Sequence, residues 1–238
     1  MLQLLMPTNS VTPDNLWCYL LDSFDRYQHN LSIRATDWFW RDYPLTYTIN
    51  SQGYRCPEFD LIDWSSSCVF FGCSHTFGEG ISDEHTVASL VPGGVNLARC
   101  GVDNTFQWLN TIRLRASGIR PRACVYLWTS TDRVVQFQGR DQVKQWGAWN
   151  VKTPTDWADP WLRDPVHKLE ITRNARLCVD LLWQDICPVV HMSYWPDNQI
   201  VLRDCELVSS VDQARDLIHP GVASNQRLAA RVRERLNI

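Results

Sequence analysis

The sequence predicts an α/β fold, a three-layer α/β/α arrangement around a central parallel sheet, and three observations carry that prediction. Short, largely apolar runs at Cys68–Phe71, Ala123–Trp128 and Cys187–Met192 read as strands buried on both faces. Between them, apolar residues recur at helical spacing in Phe106, Leu109, Ile112 and Ala116, and again in Ile171, Ala175, Cys178 and Leu182. Strands alternating with helices of these lengths imply βαβ units, and so a parallel sheet covered on both sides.

Each element follows in order. Thr12 before Pro13 is an N-cap with proline at the first helical position, and Trp17, Leu20, Leu21 and Phe24 then predict a first helix from about 13 to 27. The stretch from 30 to 65 has no steady period and reads as loops with one or two short strands lying against the core. After the strand at 68–71, Val95–Leu97 is a second, shorter one, and the helix through Phe106 ends before Gly118. A helix from about 165 to 184 precedes the strand at 187–192. Leu228, Val232 and Leu236 form the stripe of a C-terminal helix whose arginines read as a solvated face. The segment 133–164, charged and holding Trp146, Trp149, Trp157 and Trp161, breaks the rhythm and reads as an insertion at the edge of the fold, of the kind that serves as a lid or binding loop. The organisation expected is an N-terminal helix and extension over 1–65 packed on a core domain over 66–238.

With 238 residues, 45% of them hydrophobic, the chain is long enough for one α/β domain. A net charge of −3 offers no broad basic footprint, so neither nucleic acid nor an anionic membrane is suggested as a partner. Nine cysteines, scattered singly and odd in number, fit buried reduced thiols better than a disulfide framework or a zinc site, and no metal or cofactor is expected. The start MLQLLMPTNS lacks a basic n-region and meets Pro7 early, which predicts no signal peptide. No apolar stretch reaches membrane-spanning length, so a cytoplasmic location is expected, with carriage on a viral particle compatible with it. Twelve tryptophans are well above ordinary usage; such rings serve packing first and sugar binding second.

In open α/β sheets, ligands bind beyond the carboxyl ends of the strands. There the first central strand runs into Gly72-Cys73-Ser74-His75-Thr76-Phe77-Gly78-Glu79-Gly80. Small residues let the backbone turn sharply, and a serine at a strand-to-helix junction can present its hydroxyl together with its own N–H, one atom to attack and one to steady an oxyanion. Taken alone, the motif also fits a glycine turn with a capping serine. Near the C-terminus, Asp216-Leu217-Ile218-His219-Pro220-Gly221 spaces an acid and an imidazole by three residues, so that on a turn the carboxylate reaches Nδ1 and leaves Nε2 outward as a base.

These segments resemble those of the SGNH or GDSL-type serine hydrolases. GCSHTFGEGI is similar to the family's first block, with Cys73 where the family has aspartate, and NLARCG (Asn96 to Gly101) resembles its second. DLIHP matches the final Asp-x-x-His-Pro, and YTINSQGYRCPEF (Tyr47 to Phe59) resembles the Asn-Ser-x-Gly-Phe-Arg lead-in of many members. The resemblance spans about 45 to 117 and 205 to 236, with the motifs in the family's order. It implies a flavodoxin-like fold, Ser74 as nucleophile, His219 as base, Asp216 as its orienter, and the N–H groups of Ser74 and Gly101 as oxyanion donors. The family's third block, Gly-x-Asn-Asp, is absent where the strand leads into Trp128-Thr129-Ser130-Thr131-Asp132-Arg133, so Asn104 or Ser130 is the candidate third donor.

His75, Trp128 and Ser130 are the candidate substrate-binding side chains, His75 as a pocket wall. Glu79 and Glu84 read as residues that cap or solvate the following turn. Cys73 invites a thiol-nucleophile reading, but neighbouring side chains on a turn diverge. Asp132 and Arg133 pair with each other or with solvent. The expected activity is hydrolysis of a carboxylic ester, with an O-acetylated carbohydrate suggested by the tryptophans of the insertion. A lipid or thioester hydrolase is the enzymatic rival, and a non-catalytic binding or structural module on the same scaffold is the rival of another class.

Overall fold

The computed structural model describes residues 2–7, 21–147 and 164–238, and in it the three apolar runs form the middle of a five-stranded parallel sheet. Numbered along the chain, β2 (Cys68–Phe71), β4 (Ala123–Trp128) and β7 (Val189–Ser193) lie side by side, with β3 (Gly94–Asn96) outside β2 and β8 (Glu206–Leu207) outside β7. Alternate side chains of a strand point to opposite faces, so an unbroken apolar run must be covered twice. On one face Val69, Phe71, Cys124, Tyr126 and Trp128 pack with Phe106 and Leu114 of α3 (Asn104–Ala116) and with Ala175, Val179 and Trp183 of α4 (Pro165–Trp183). On the other, Cys68, Phe70, Val125, Leu127 and Met192 meet Leu228, Ala229 and Val232 of α6 (Val222–Leu236), the helix that follows the short α5 (Asp197–Val201). The three layers expected from the sequence are present.

Trp128 departs from expectation. As the last residue of the central strand it is fully buried, its ring 5.4 Å from that of Tyr126 and 5.8 Å from that of His191, and its Nε1 donates to His191 Nδ1 at 3.0 Å. It is a core residue rather than a substrate platform, because helices cover both faces of β4. His191 Nε2 in turn faces Asp180 Oδ1 at 3.0 Å, so the imidazole is a polar link within the core.

The first helix also differs. α1 runs over Phe24–Ile33, capped by Ser23, whose Oγ accepts from Arg26 N at 3.3 Å, with Asp25 in the first turn. It therefore starts well after the expected position 13; residues 8–20 lie outside the described residues. From 34 to 65 the chain forms three short 3₁₀ turns (Phe39–Arg41, Phe59–Leu61 and Trp64–Ser66) and none of the expected strands. Trp40, Leu45, Tyr47 and Ile49 from this stretch pack on Phe77, Ile81, Ala98 and Ala214, around the end of the sheet where the candidate site residues gather.

The start of the insertion is a hairpin, β5 (Arg133–Phe137) antiparallel to β6 (Gln142–Gly147), extended by β1 (Met6–Pro7) parallel to β6. Side chains moor it to the core domain: Asp103 Oδ2 accepts from Val135 N at 3.0 Å, Gln145 Nε2 donates to Cys100 O at 2.8 Å, and Arg113 Nη2 donates to Arg140 O at 2.7 Å. Trp146 is buried, with Lys144 Nζ 4.0 Å from its ring centroid; Trp149, Trp157 and Trp161 lie outside the described residues. Among the described residues every cysteine is a free thiol, and no helix is long and apolar enough to cross a membrane. Cys18 lies outside them.

Candidate active site

Beyond the end of β2 the chain turns sharply into the short helix α2 (Ser74–Phe77), which Ser74 opens. Gly72 permits the turn: a Cβ there would fall 2.0 Å from Thr76 Oγ1. Asn96, at the end of β3, donates through Nδ2 to the carbonyls of Thr76 and Phe77 at 3.1 and 3.3 Å, which holds the far end of α2. Arg55 secures the loop that follows. Its guanidinium donates to Asp83 Oδ1 and to the carbonyls of Thr46, Phe77, Gly78 and Ile81. The conspicuous Asn and Arg of the family-like segments are thus structural clamps on the serine turn.

The second half of the site comes from the loop before α6. Asp216 Oδ1 accepts from the N–H groups of Ile218 and His219, each at 3.0 Å, while Oδ2 is hydrogen-bonded to His219 Nδ1. Leu217 between them adopts φ +62°, a left-handed conformation that costs a branched residue energy and folds the loop tightly enough for both side chains to meet. The loop is closed by Ala214 N to His219 O at 2.9 Å, and Asp212 anchors it by accepting from the first N–H groups of α6 at Ala223 and Ser224. It approaches the serine turn at Gly80, where a Cβ would come within 2.9 Å of Ala214 Cβ and 3.3 Å of Asp216 Cγ.

Ser74, Asp216 and His219 are therefore gathered at the carboxyl end of the sheet, all buried. The His219 ring lies 5.2 Å from that of His75 and its Nε2 is 3.6 Å from Glu79 Oε2, so two residues of the turn that follows Ser74 approach the imidazole. Ser74 Oγ itself donates to Cys73 Sγ at 4.0 Å, and no hydrogen bond joins it to His219. A general base and its nucleophile are often loosely aligned without substrate and tighten in the complex. Burial works to raise the Asp216 carboxyl, but the His219 hydrogen bond and charge outweigh it and hold the group below its ordinary value. For His219, burial favours the neutral ring, yet Asp216 and Glu79 together raise its pKa above the usual histidine value. Burial would also raise the Cys73 thiol, but the charge of Arg133 and the neighbouring His75 hold it well below the ordinary thiol value.

No family model matches the chain, and neither does any curated protein.

The remaining expected residues separate clearly. No carbonyl among the described residues accepts from the N–H of Ser74 or of Gly101, so both stay available as donors, and Gln145 braces the Cys100–Gly101 peptide. Asn104 is not available in the same way. Its Nδ2 donates to Thr129 O at 3.2 Å and Thr172 Oγ1 at 2.9 Å, and its Oδ1 accepts from Thr129 N and Gln107 Nε2, so the amide braces α3 against the end of β4. Ser130 lines a narrow crevice with Asp103, Asn104 and Arg133, and its Oγ accepts from Asp132 N at 3.4 Å. His75 packs against Tyr194 at 5.0 Å and Trp195 at 4.7 Å, and burial lowers its pKa, which favours the neutral ring. Glu84 stays at the surface, bonded to Tyr43. A broad groove of about 1080 Å³ bordered by Gln52, Trp64, Arg113 and Asp141 opens at the opposite end of the sheet and includes none of these residues.

Glu79 corrects the sequence reading most. It is not a turn cap but a buried carboxyl facing His219, its pKa pushed up to about 7 by burial, against the pull of the His219 charge. The donor atoms of Glu79, Asp216 and His219 lie within 4.8 Å of one another, close enough for a cation. Here, however, each ring nitrogen faces a carboxylate of its own, which is the arrangement of a proton relay. The Gly-Glu-Gly sequence was the one visible hint, since flanking glycines allow a close approach that a surface cap would not need.

The raised pKa has a thermodynamic consequence. A carboxyl moved from 4.5 to about 7 on folding makes the native state bind the proton more tightly, so its stabilising contribution is complete below pH 4.5 and is lost as pH rises through 7. Glu79→Gln keeps the shape without the charge. It is expected to gain on the wild type as pH rises from 5 to 8, by roughly 3 kcal/mol at the upper end, which denaturant unfolding at the two pH values measures.

Proposed function

We propose that the protein is a serine esterase with Ser74, His219 and Asp216 as its triad. The observation that carries this reading is the buried Asp216–His219 pair at the carboxyl end of β2, beside the helix that Ser74 opens. Ser74 Oγ attacks the ester carbonyl as His219 Nε2 takes its proton, and Asp216 stabilises the imidazolium through Nδ1. The N–H groups of Ser74 and Gly101 support the oxyanion. Collapse of the tetrahedral adduct expels the alcohol with the proton from His219; water, deprotonated in turn by His219, then releases the acid and restores Ser74. Ser74 is only 5% exposed, and the His75 ring, itself packed against Tyr194 and Trp195, lies 5.2 Å from the imidazole, which favours a short acyl group such as acetyl over a long aliphatic chain.

The experiment is turnover of a small chromogenic acetyl ester by the wild type and by Ser74→Ala, with fluorophosphonate labelling to mark the nucleophile. Loss of turnover and of labelling in the variant supports the assignment; an unchanged rate removes Ser74 from the chemistry. Acetylated glycans, longer acyl esters and thioesters assayed side by side separate the carbohydrate esterase from the lipid and thioester alternatives. One observation favours the non-catalytic module instead: the Asn104 amide is engaged within the fold and leaves the oxyanion with two backbone donors. A wild type that neither labels nor turns over any of these esters would establish that reading.

A further inference from the structure

We propose that Glu79 is a positioning residue for His219, holding the imidazole from its Nε2 side and setting the pH at which that nitrogen becomes available to Ser74. The inference deepens the esterase reading and rests on it for its kinetic consequence. Its structural basis is separate. His219 lies between two buried carboxyl groups, Asp216 bonded to Nδ1 and Glu79 Oε2 at 3.6 Å from Nε2, with Glu79 and Asp216 2% and 1% exposed. At 3.6 Å the Glu79 contact is a charge contact rather than a hydrogen bond. It leaves Nε2 near the carboxyl without locking it there, so a serine hydroxyl can compete for the same nitrogen.

The loop geometry that places Glu79 is built rather than incidental. Gly78 and Gly80 on either side both have positive φ, Arg55 holds the carbonyls of Phe77, Gly78 and Ile81, and Tyr47 Oη accepts from Gly80 N at 2.7 Å. A carboxyl fixed this firmly in a buried site, where the uncharged form is otherwise preferred, is held against the tendency of buried charges to find water.

The chemistry follows from which form of His219 is reactive. Only a neutral imidazole can take the serine proton, and an anionic carboxyl on each side favours the imidazolium. While Glu79 is ionised, His219 keeps its proton more tightly; without the Glu79 charge, Nε2 becomes free at lower pH. The other groups that face this pair do not supply that switch. Asp22, farther from Glu79, is paired with Arg215. The Cys100 thiol beside Glu79 is pushed up by burial, while the Arg133 charge and His75 hold the Cys73 thiol low. His75, 5.2 Å from the His219 ring, is kept neutral by burial. Asp216 is held below its ordinary value and remains ionised. Glu79 is the neighbour that titrates near neutrality, and the two groups exchange protons as a coupled pair.

The test is to follow the side-chain nitrogens of His219 by NMR against pH in the wild type, Glu79→Gln and Glu79→Asp, and to record kcat/KM against pH on the acetyl ester for the same proteins. In Glu79→Gln the His219 pKa and the acid limb of the rate profile are expected to fall together by about one pH unit or more, and Glu79→Asp restores part of the shift. In the wild type itself the nitrogen shifts should show two inflections, because Glu79 titrates beside the ring; that measurement needs no variant to fold. A single wild-type inflection, or an unchanged His219 pKa in Glu79→Gln, overturns the proposal. A shifted His219 pKa in a protein without ester turnover overturns the esterase reading and upholds the role of Glu79.

Discussion

Replacing His219 by alanine is expected to lower kcat/KM for a small acetyl ester by about a thousandfold or more, and Asp216→Asn by a comparable factor. The two losses have different origins. His219→Ala removes the imidazole to which the esterase reading assigns the serine proton, leaving oxyanion support and substrate binding as the residual catalysis. Asp216→Asn keeps the size of the side chain but not its chemistry. The carboxylate accepts from the N–H groups of Ile218 and His219 through one oxygen and bonds Nδ1 through the other. An amide keeps one of those acceptors and turns the other into a donor, which puts the wrong tautomer of His219 toward Ser74. Steady-state kinetics of the two variants, with Tm as a check that the loop remains folded, measure this. A rate within tenfold of the wild type in His219→Ala would take the imidazole out of the reaction.

The largest effect on stability is expected at Asp22. Its carboxylate receives Arg215 in a fork, Nε on Oδ1 at 2.9 Å and Nη2 on Oδ2 at 2.8 Å, and also accepts Tyr47 Oη at 2.6 Å, with both ionic side chains buried. Removing one partner from such a pair strands the other charge, a loss of about 3–5 kcal/mol. Asp22→Ala is therefore expected to shift the denaturant midpoint by that equivalent, and the double variant Asp22→Leu with Arg215→Met to recover much of it, since the cost lies in the stranded charge. A loss below about 1 kcal/mol in the single variant, within the range of exposed pairs, would show the pair to be solvated in solution. Because Arg215 precedes Asp216 directly, and Asn30 Nδ2 donates to Arg215 O at 2.8 Å, the same contacts tie Asp216 to the N-terminal stretch.

How much of this was legible in the sequence depended on the kind of signal. Strands covered on both faces announce themselves as unbroken apolar runs, and β2 and β4 appeared where Cys68–Phe71 and Ala123–Trp128 predicted them. Helices with a stripe and a stop, such as α3 before Gly118 and α4 up to Trp183, were nearly as clear. What local pattern could not carry was contact between distant segments. The two-residue strands β1 and β8 exist only through their partners. Thr12-Pro13 is a plausible start signal, but Ser23 caps the helix that forms. At the site, Asp216 and His219 could be paired on paper because three residues separate them. Glu79 could not, because its meaning comes from a loop more than a hundred residues away. Asn104 and Trp128 were misjudged for a related reason: an amide or an indole near a strand end reads as available until the structure shows its hydrogen bonds already made within the core.

Arg55 has a consequence that can be counted. A guanidinium owns five N–H groups, and in this loop each meets an acceptor: Nε on Asp83, Nη1 on Phe77 and Gly78, Nη2 on Thr46 and Ile81. The segment from Phe77 to Asp83 is mostly irregular backbone, so one side chain takes the place that a ladder of sheet or helix bonds would otherwise fill. A lysine carries the same charge with three donors and no planar fork; it would leave at least two of these five acceptors without the bond that Arg55 gives them. For this fold, then, position 55 sets a valence as much as a charge, and the loop bearing Glu79 holds its shape only while all five bonds are made.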